Sequence, residues 1–293
     1  MEEKKRLICI GGPTASGKTA LAISLAQKYK TEIISVDSRQ LYREMNIGTA
    51  KPTSRELALI PHHFINHVSV HQHYDIGIFE KEVLKIITEK FKHTDILIAA
   101  GGSGLYFKAI IEGIDEFPEV GQDITSTLQK EYQEKGLNFL QQLLKDVDPD
   151  YYKTADINNP VRLIRAISMY QATGFPFSSF RTGNKISRFF ETHCYYLSPP
   201  RDILYEKINT RVEKMITDGL IEEARTLYEY KNLKALQTVG YSELFKFFSN
   251  EYDINEAISK IKQHTRQYAK RQLTWFNNVG NWKKWENQDV FLF

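Results

Sequence analysis

The residues best suited to chemistry lie near the amino end, in a segment rich in glycine. Residues 12–19 read GPTASGKT and fit the phosphate-loop pattern G-x-x-x-x-G-K-[ST]. In such a loop the backbone N–H groups converge on phosphate oxygens, the lysine adds positive charge, and the final hydroxyl can bind magnesium. Thr19 is therefore the predicted ligand of Mg²⁺. The predicted polyphosphate-binding residues are Gly12, Pro13, Thr14, Ala15, Ser16, Gly17, Lys18 and Thr19.

Two further polar residues follow short apolar runs. Asp37 comes directly after residues 32–36, and Ser103 comes after the two glycines that follow residues 95–100. An aspartate in this position is most often a helix cap, but a carboxylate beside a phosphate loop can also accept a proton. Hydrolytic phosphate-loop enzymes usually end the later strand in an acidic residue that helps to hold magnesium. In this chain residues 95–100 are followed by glycine and serine and not by an acidic residue, which weakens the interpretation of the protein as a hydrolase.

The elements that must position these residues alternate between strand and helix. Apolar runs predict strands at residues 7–10, 32–36 and 95–100, and helical spacing predicts helices at residues 19–29 and 77–92. This alternation is typical of an α/β fold with right-handed crossovers. We therefore predict a P-loop NTPase-like parallel sheet flanked by helices. Ligands bind at the carboxyl ends of such strands, so the segments above should share one site.

The pattern changes after about Pro118, where the chain becomes rich in helices and poor in strands. We predict a helical insertion domain at residues 121–189, and a core domain formed by residues 1–120 and 190–293. The core should regain a strand at residues 195–197. Its carboxyl-terminal region is then predicted to be helical at residues 203–217, 221–230, 242–248 and 255–276.

Composition excludes several classes of protein. A hydrophobic content of 42% with 26% charged residues is typical of a soluble globular chain. We find no run of the roughly 18 apolar residues that a membrane span needs, so no membrane association is expected. The two cysteines, Cys9 and Cys194, are far apart in the sequence and argue against a disulfide framework. We expect a cytoplasmic protein that acts as a monomer.

A basic segment near the carboxyl end suggests contact with nucleic acid. Between residues 257 and 285 there is no Asp or Glu, and Lys262, Arg266 and Lys270 recur every fourth residue. On one helix these three side chains would form a positive stripe without acidic partners, suited to an RNA backbone. A solvated helix face is the alternative. Core packing is the simpler explanation for the aromatic residues of this helix.

Six segments together resemble the ordered motifs of the tRNA dimethylallyltransferases. In chain order they read GPTASGKT, SVDSRQLYREMNIGTAKP, GGSGLY, NPVRLIRA, TVGYSEL and TRQYAKRQLTWF. The resemblance extends from about Leu7 to Phe276 and is to the shorter bacterial form, without a paired-cysteine zinc finger. It implies that the phosphate loop holds dimethylallyl diphosphate. It also implies transfer of the dimethylallyl group to the exocyclic amine of the adenosine 3′ of the anticodon, in tRNAs that read codons beginning with U.

The resemblance also implies roles for single residues. Asp37 would be the general base, Arg211 would contact the diphosphate, and Ser103 would touch both the diphosphate and the base. Thr125 and Ser242 stand where relatives often have basic residues. Besides the positive stripe, the residues expected to contact the tRNA anticodon stem-loop are Asp37, Ser38, Arg39, Gln40, Ser103, Thr125, Val161, Arg162, Leu163, Ile164, Arg165, Gln237, Thr238, Val239, Gly240, Tyr241 and Ser242.

Three other functions are compatible with a phosphate loop. A small-molecule kinase explains the loop, but it does not explain the helical insertion or the segments around Asp37 and Gly101. Prenyl transfer onto free AMP or ADP would use the same donor, and the basic carboxyl-terminal helix favours RNA over it. An RNA-binding module without catalysis has no need for Lys18, Thr19 and Asp37 together.

Overall fold

A computed structural model of the protein describes residues 4–286, so residues 1–3 and 287–293 of the predicted core lie outside the described residues. The strands are β1 (Arg6–Gly11), β2 (Ile33–Val36), β3 (His62–His63), β4 (Ile96–Gly101), β5 (Glu191–Tyr196) and β6 (Lys283–Lys284). The helices are α1 (Lys18–Lys28), α2 (Ser54–Leu59), α3 (Ile76–Lys90), α4 (Gly104–Glu112), α5 (Gln122–Lys135), α6 (Leu137–Val147), α7 (Pro149–Thr154), α8 (Pro160–Thr173), α9 (Arg201–Thr217), α10 (Leu220–Thr226), α11 (Tyr241–Phe248) and α12 (Ile254–Asn278). Short 3₁₀ turns occupy Phe177–Phe180 and Tyr228–Tyr230.

The described strands form one parallel sheet in the order β3-β2-β4-β1-β5-β6. The predicted α/β fold of the P-loop type is therefore confirmed. Gly101 pairs with Gly11 on one side and with Val36 on the other, so three strands end side by side. The two-residue strands β3 and β6 were not predicted, since a pair of residues is too short to show periodicity.

The sheet is covered on both faces, as its alternating side chains require. One face packs in a cluster shared with α3, which includes Leu7, Cys9, Phe79, Val83 and Ile87. The opposite face packs against α1 in a cluster that includes Ile8, Ile10, Ala22 and Leu25. Among the described residues, no helix is both long and apolar enough to cross a membrane.

The chain divides into two compact units. The first combines the residues up to Glu112 with those from Ser187, and it contains the sheet. The second unit, Gly113–Ile186, is helical and has its own core, in which Leu140, Leu144 and Leu163 are buried.

Gly101 is a position where the sheet cannot accept a side chain. A Cβ atom added there would lie 1.9 Å from the Val36 carbonyl oxygen of the neighbouring strand. We predict that Gly101→Ala destabilises the protein by about 3 kcal/mol or more, because backbone rather than a flexible side chain must move. Thermal unfolding measures this. Gly77→Ala is the control, since its Cβ meets only an Asp75 oxygen at 3.4 Å. It should be neutral or stabilising, because alanine favours a helix by about 0.5–1 kcal/mol over glycine.

Candidate active site

A cavity of about 610 Å³ lies at the carboxyl ends of β1, β2 and β4. Its wall includes parts of the phosphate loop, the turn after β2, the end of β4, and the helices α9 and α12. Lys18, Asp37 and Arg211 all line it, although they come from three separate parts of the chain. The parallel sheet thus brings the predicted phosphate loop and the predicted base to one chamber.

The phosphate loop has the backbone of an anion site. Gly17 adopts a φ of 92° directly before α1, a conformation that glycine reaches at little cost. Helix α1 then begins at Lys18, whose ammonium group donates to the Pro13 carbonyl at 3.0 Å. The Ser16 hydroxyl is buried and has no hydrogen-bond partner in the described structure. Buried polar atoms are usually paired, so this hydroxyl and the free helix end fit a phosphate group.

Arg211 faces the phosphate loop from α9. Its guanidinium donates to the Thr14 hydroxyl at 2.9 Å and to the Ala50 carbonyl at 3.4 Å. Burial lowers the pKa of Arg211, and the charge of Asp37 acts in the opposite direction. Arginine nevertheless stays protonated in proteins. The Arg211 guanidinium therefore places a fixed positive charge in the cavity wall, next to the phosphate loop.

Asp37 serves the turn and also faces the cavity. One carboxylate oxygen, Oδ1, accepts the N–H groups of Arg39 at 2.9 Å and Gln40 at 3.3 Å. The other oxygen, Oδ2, has no hydrogen bond within residues 4–286. The negative charge of Asp37 raises the pKa of both Lys18 and Arg211, against the effect of their burial. Asp37 can therefore cap the turn through Oδ1 and still offer Oδ2 to a ligand in the cavity.

Ser103 stands beside Asp37 through its neighbour Ser38. The Ser103 hydroxyl accepts the Ser38 N–H at 3.0 Å and lies 3.3 Å from the Ser38 hydroxyl. Tyr268, which lines the cavity, lies near both Ser103 and Asp37. Burial, with the nearby charge of Asp37, raises the pKa of Tyr268 to about 12. Tyr268 therefore keeps its proton at neutral pH and offers a hydroxyl donor near Asp37, although its spacing in the sequence favoured core packing.

The predicted neighbours of Asp37 are held by backbone atoms. The Gln40 amide donates to the carbonyls of Thr49 at 3.2 Å and Ala50 at 3.1 Å. The Arg39 guanidinium donates to the Ala235 carbonyl at 2.9 Å. Both side chains line the cavity. The loops that hold them there were not predicted from the sequence to contact them.

The positive stripe on α12 is partly neutralised. Lys262 forms an ion pair of 2.7 Å with Glu213, and Arg266 donates to Asn209 at 2.7 Å. Both partners lie on α9, so the expectation of a stripe without acidic partners was wrong for Lys262. The acidic residue is distant in sequence and comes close only through helix packing. Lys270 is exposed.

Residues 237–242 divide between the cavity, the surface and the core. Thr238, Val239 and Gly240 line the cavity, Gln237 is exposed and Ser242 is half-buried. Tyr241 is fully buried, and its hydroxyl donates to Glu223 at 2.7 Å. Its side chain therefore supports a loop and presents no surface to RNA, which corrects the expected contact.

The predicted contacts in the insertion differ in exposure. Arg162 and Arg165 are exposed on α8, as is Val161, whereas Leu163 and Ile164 are buried in the core of the second unit. Helical spacing explains the difference, because at about 3.6 residues per turn positions 161, 162 and 165 fall on one side of α8 and positions 163 and 164 on the other. The buried pair therefore cannot meet RNA through its side chains. Thr125, on α5, is half-buried and not fully exposed.

Several residues of the site region were missed by the sequence analysis, and two of them connect distant segments. Gln272 lines the cavity from α12, and Glu223 accepts the N–H groups of Asn46, Ile47 and Gly48 at 2.8–3.0 Å. Each acts on backbone that is more than 100 residues away in the sequence, which local patterns do not reveal. Gln272 falls within the motif TRQYAKRQLTWF, four residues after Tyr268 on the same helix face, but the motif gave it no role.

The charge of Lys18 should make ligand binding depend on pH. Burial lowers its pKa to about 8, with Asp37 opposing the shift and Arg211 adding to it. The free protein therefore loses this charge as the pH rises through 8. We predict that pyrophosphate affinity falls above pH 8, by up to about tenfold per pH unit. Calorimetry in buffers of different ionisation enthalpy should also detect proton uptake on binding. Lys18→Arg stays charged over this range and should remove the pH dependence. If Lys18→Arg loses affinity above pH 8 as the unmodified protein does, the assignment to Lys18 is contradicted.

Together, the parallel sheet, the phosphate loop and the charged cavity at the strand ends define a phosphate-loop α/β enzyme. Comparison with known families identifies a more specific class of protein. The chain belongs to the IPP transferase family, whose model matches residues 40–279, and it is accordingly a transferase. This agrees with the family inferred from the six sequence motifs.

Relatives named as tRNA dimethylallyltransferases match most of the chain. A tRNA dimethylallyltransferase from Christiangramia forsetii is 52% identical over 270 residues, which are 92% of this chain and 89% of that protein. One from Flavobacterium psychrophilum is 46% identical over 281 residues, with coverage of 94% and 92%. The crystal structure of a tRNA isopentenylpyrophosphate transferase from Bacillus halodurans is 34% identical, with a TM-score of 0.70 and coverage of 96% and 90%.

Proposed function

We propose that this chain transfers a dimethylallyl group from dimethylallyl diphosphate to the exocyclic amine of the adenosine 3′ of the anticodon, giving isopentenyladenosine. The tRNAs that it modifies read codons beginning with U. One observation carries most of the support: Asp37, Lys18 and Arg211 line the same cavity. A proton acceptor and a cationic anion cradle are the two features that this transfer needs.

The chemistry follows from the weakness of the nucleophile. The lone pair of the adenine amine is delocalised into the ring, so the amine attacks carbon poorly. Asp37 Oδ2 accepts the amine proton while the carbon–nitrogen bond forms. The carbon–oxygen bond breaks at the same time, and its electron pair leaves with the diphosphate. Lys18, Arg211 and the N–H groups of the phosphate loop stabilise this departing negative charge.

Magnesium fits the donors present in the cavity. The described residues contain no cluster of three or more His, Cys, Asp or Glu side chains that could hold a metal alone. Magnesium is commonly bound through one or two protein ligands, substrate phosphates and water. Thr19, which lines the cavity, would supply the protein hydroxyl. When bound, the ion would offset diphosphate charge.

The acceptor must enter the cavity as a single base. An adenine in a stem-loop is stacked, and rotating it outwards costs a few kcal/mol, least where it is unpaired. The cavity is within the usual range for ligand sites, about 300–1,000 Å³. Exposed Lys270, with Arg162 and Arg165 in the insertion, would contact the RNA backbone. We include in the proposal a cytoplasmic location and a monomeric state, which sedimentation measurements test.

A transfer assay tests the proposal against its alternatives. The protein is incubated with Mg²⁺, labelled dimethylallyl diphosphate and one acceptor: unmodified tRNA reading a U-initial codon, AMP or ATP. Label in the tRNA alone is the expected result. Label in AMP would show that the acceptor is a free nucleotide and not tRNA. ATP turnover without prenyl transfer would favour a kinase.

A matched acceptor sharpens that assay. The same tRNA with inosine in place of the adenosine 3′ of the anticodon keeps the fold and charge but has an oxygen where adenosine carries its exocyclic amine. It should accept no label. Equal labelling of both tRNAs would contradict the proposed site of modification.

A further inference from the structure

Gln272 joins the phosphate loop to the turn after β4. It lies on α12 and is only 6% exposed. Its side-chain oxygen accepts the Thr14 N–H of the phosphate loop at 3.0 Å, and its side-chain nitrogen donates to the Gly102 carbonyl at 2.9 Å. A primary amide is suited to this task, because one group supplies both an acceptor and donors.

The backbone around Gln272 is shaped to receive it. A Cβ atom on Gly102 would lie 2.1 Å from the Gln272 side-chain nitrogen. Farther along α12, the ring of Trp275 would lie 2.2 Å from a Cβ atom on Gly104. The absence of side chains at both glycines therefore lets α12 rest directly on the turn after β4. This close approach is independent evidence that the contact is built into the fold.

The two joined loops carry different parts of the site. The phosphate loop holds the cradle with Lys18, whereas the turn after β4 holds Ser103, whose hydroxyl accepts the N–H of Ser38 at 3.0 Å. Ser38 directly follows Asp37. Gln272 thus lies in a chain of contacts that leads from the anion cradle to the carboxylate.

From these contacts we propose that Gln272 is a positioning residue, which fixes the separation between the diphosphate cradle and the Asp37 turn. This inference rests on the proposed function. Gln272 takes no part in bond making, and its role is to keep donor and base in register. A misplacement of about 1 Å can lower a reaction rate by about 100-fold, so a modest shift of either loop should be visible.

Two substitutions separate its two hydrogen bonds. Gln272→Leu is close in size and removes both. Gln272→Glu keeps an acceptor for the Thr14 N–H, but at neutral pH it places a carboxylate against the Gly102 carbonyl. A protonated glutamate can donate to that carbonyl again, and burial favours the protonated form.

The test compares the single-turnover rate of dimethylallyl transfer with the calorimetric affinity for pyrophosphate. We expect Gln272→Leu to lower the rate by about 10- to 100-fold while pyrophosphate still binds. The activity of Gln272→Glu relative to the unmodified protein should recover as the pH falls from about 7.5 to about 5.5.

Thr31→Val is the control for a merely structural loss. It removes a buried hydroxyl bond of 2.7 Å to the Ile96 carbonyl, at the opposite end of the sheet, and should leave the rate unchanged. An unchanged rate in Gln272→Leu, or a flat pH ratio in Gln272→Glu, overturns the inference. If Gln272→Leu fails to fold, the pH ratio decides alone. Failure of the unmodified protein to label tRNA would instead reject the proposed function.

Discussion

Asp37→Asn should lower the single-turnover rate of dimethylallyl transfer by about 10²- to 10⁴-fold, the usual contribution of a general base. Asparagine retains an oxygen for the N–H groups of Arg39 and Gln40, so the turn should persist. What it loses is the ability to accept a proton at neutral pH. Pyrophosphate should still bind, because Lys18 and Arg211 are intact. Rapid-quench measurements with saturating substrates test the rate, and calorimetry tests the binding.

Asp75→Asn is the matched control for this change. Asp75 caps α3 by accepting the Ile78 N–H at 2.9 Å, and it does not line the cavity. The chemical change is the same and both carboxylates accept backbone N–H groups through Oδ1, although Asp75 Oδ2 also contacts His73 at 3.2 Å. Its transfer rate should equal that of the unmodified protein. A variant Asp37→Asn that keeps substantial turnover would remove Asp37 from the role of base.

The sequence predicted those features that local spacing determines. The phosphate loop, the three strands that lead into the site and the helix α3 were all visible as short patterns. Their convergence followed from one rule of parallel sheets, that the carboxyl ends of the strands meet at one edge. Asp37 could therefore be placed beside Lys18 without coordinates, although one aspartate after a strand carries little information by itself.

The features that were missed depend on contacts between distant segments. Gln272 meets Thr14 across 258 residues, and Lys262 meets Glu213 across 49. No periodicity in a short window records such pairs, because each depends on how whole helices pack. Tyr241 shows the converse, since a motif suggested an RNA contact while packing buried the side chain. Motif membership therefore indicated a segment beside the cavity, but it did not distinguish the side chains that line the cavity from those that support it.

Arg211→Gln should lower kcat/KM for dimethylallyl diphosphate by about 10²- to 10³-fold, the usual loss when one fixed donor to a developing charge is removed. The guanidinium is held against the phosphate loop by the Thr14 hydroxyl, so it is already oriented before substrate binds. Arg211→Lys keeps the charge but loses the planar fork of donors, and should recover only part of the loss. Steady-state kinetics with tRNA at saturation measure all three proteins.

Lys207→Gln separates a specific contact from a general effect of charge. Lys207 lies one turn before Arg211 on α9, is exposed and also lines the cavity. The substitution removes the same unit of charge from the same helix, but water already screens this side chain. Its kcat/KM should therefore fall far less than that of Arg211→Gln. Equal losses in the two variants would mean that the net positive potential of α9 holds the diphosphate, and that the contact between Arg211 and the phosphate loop has no special part in its departure.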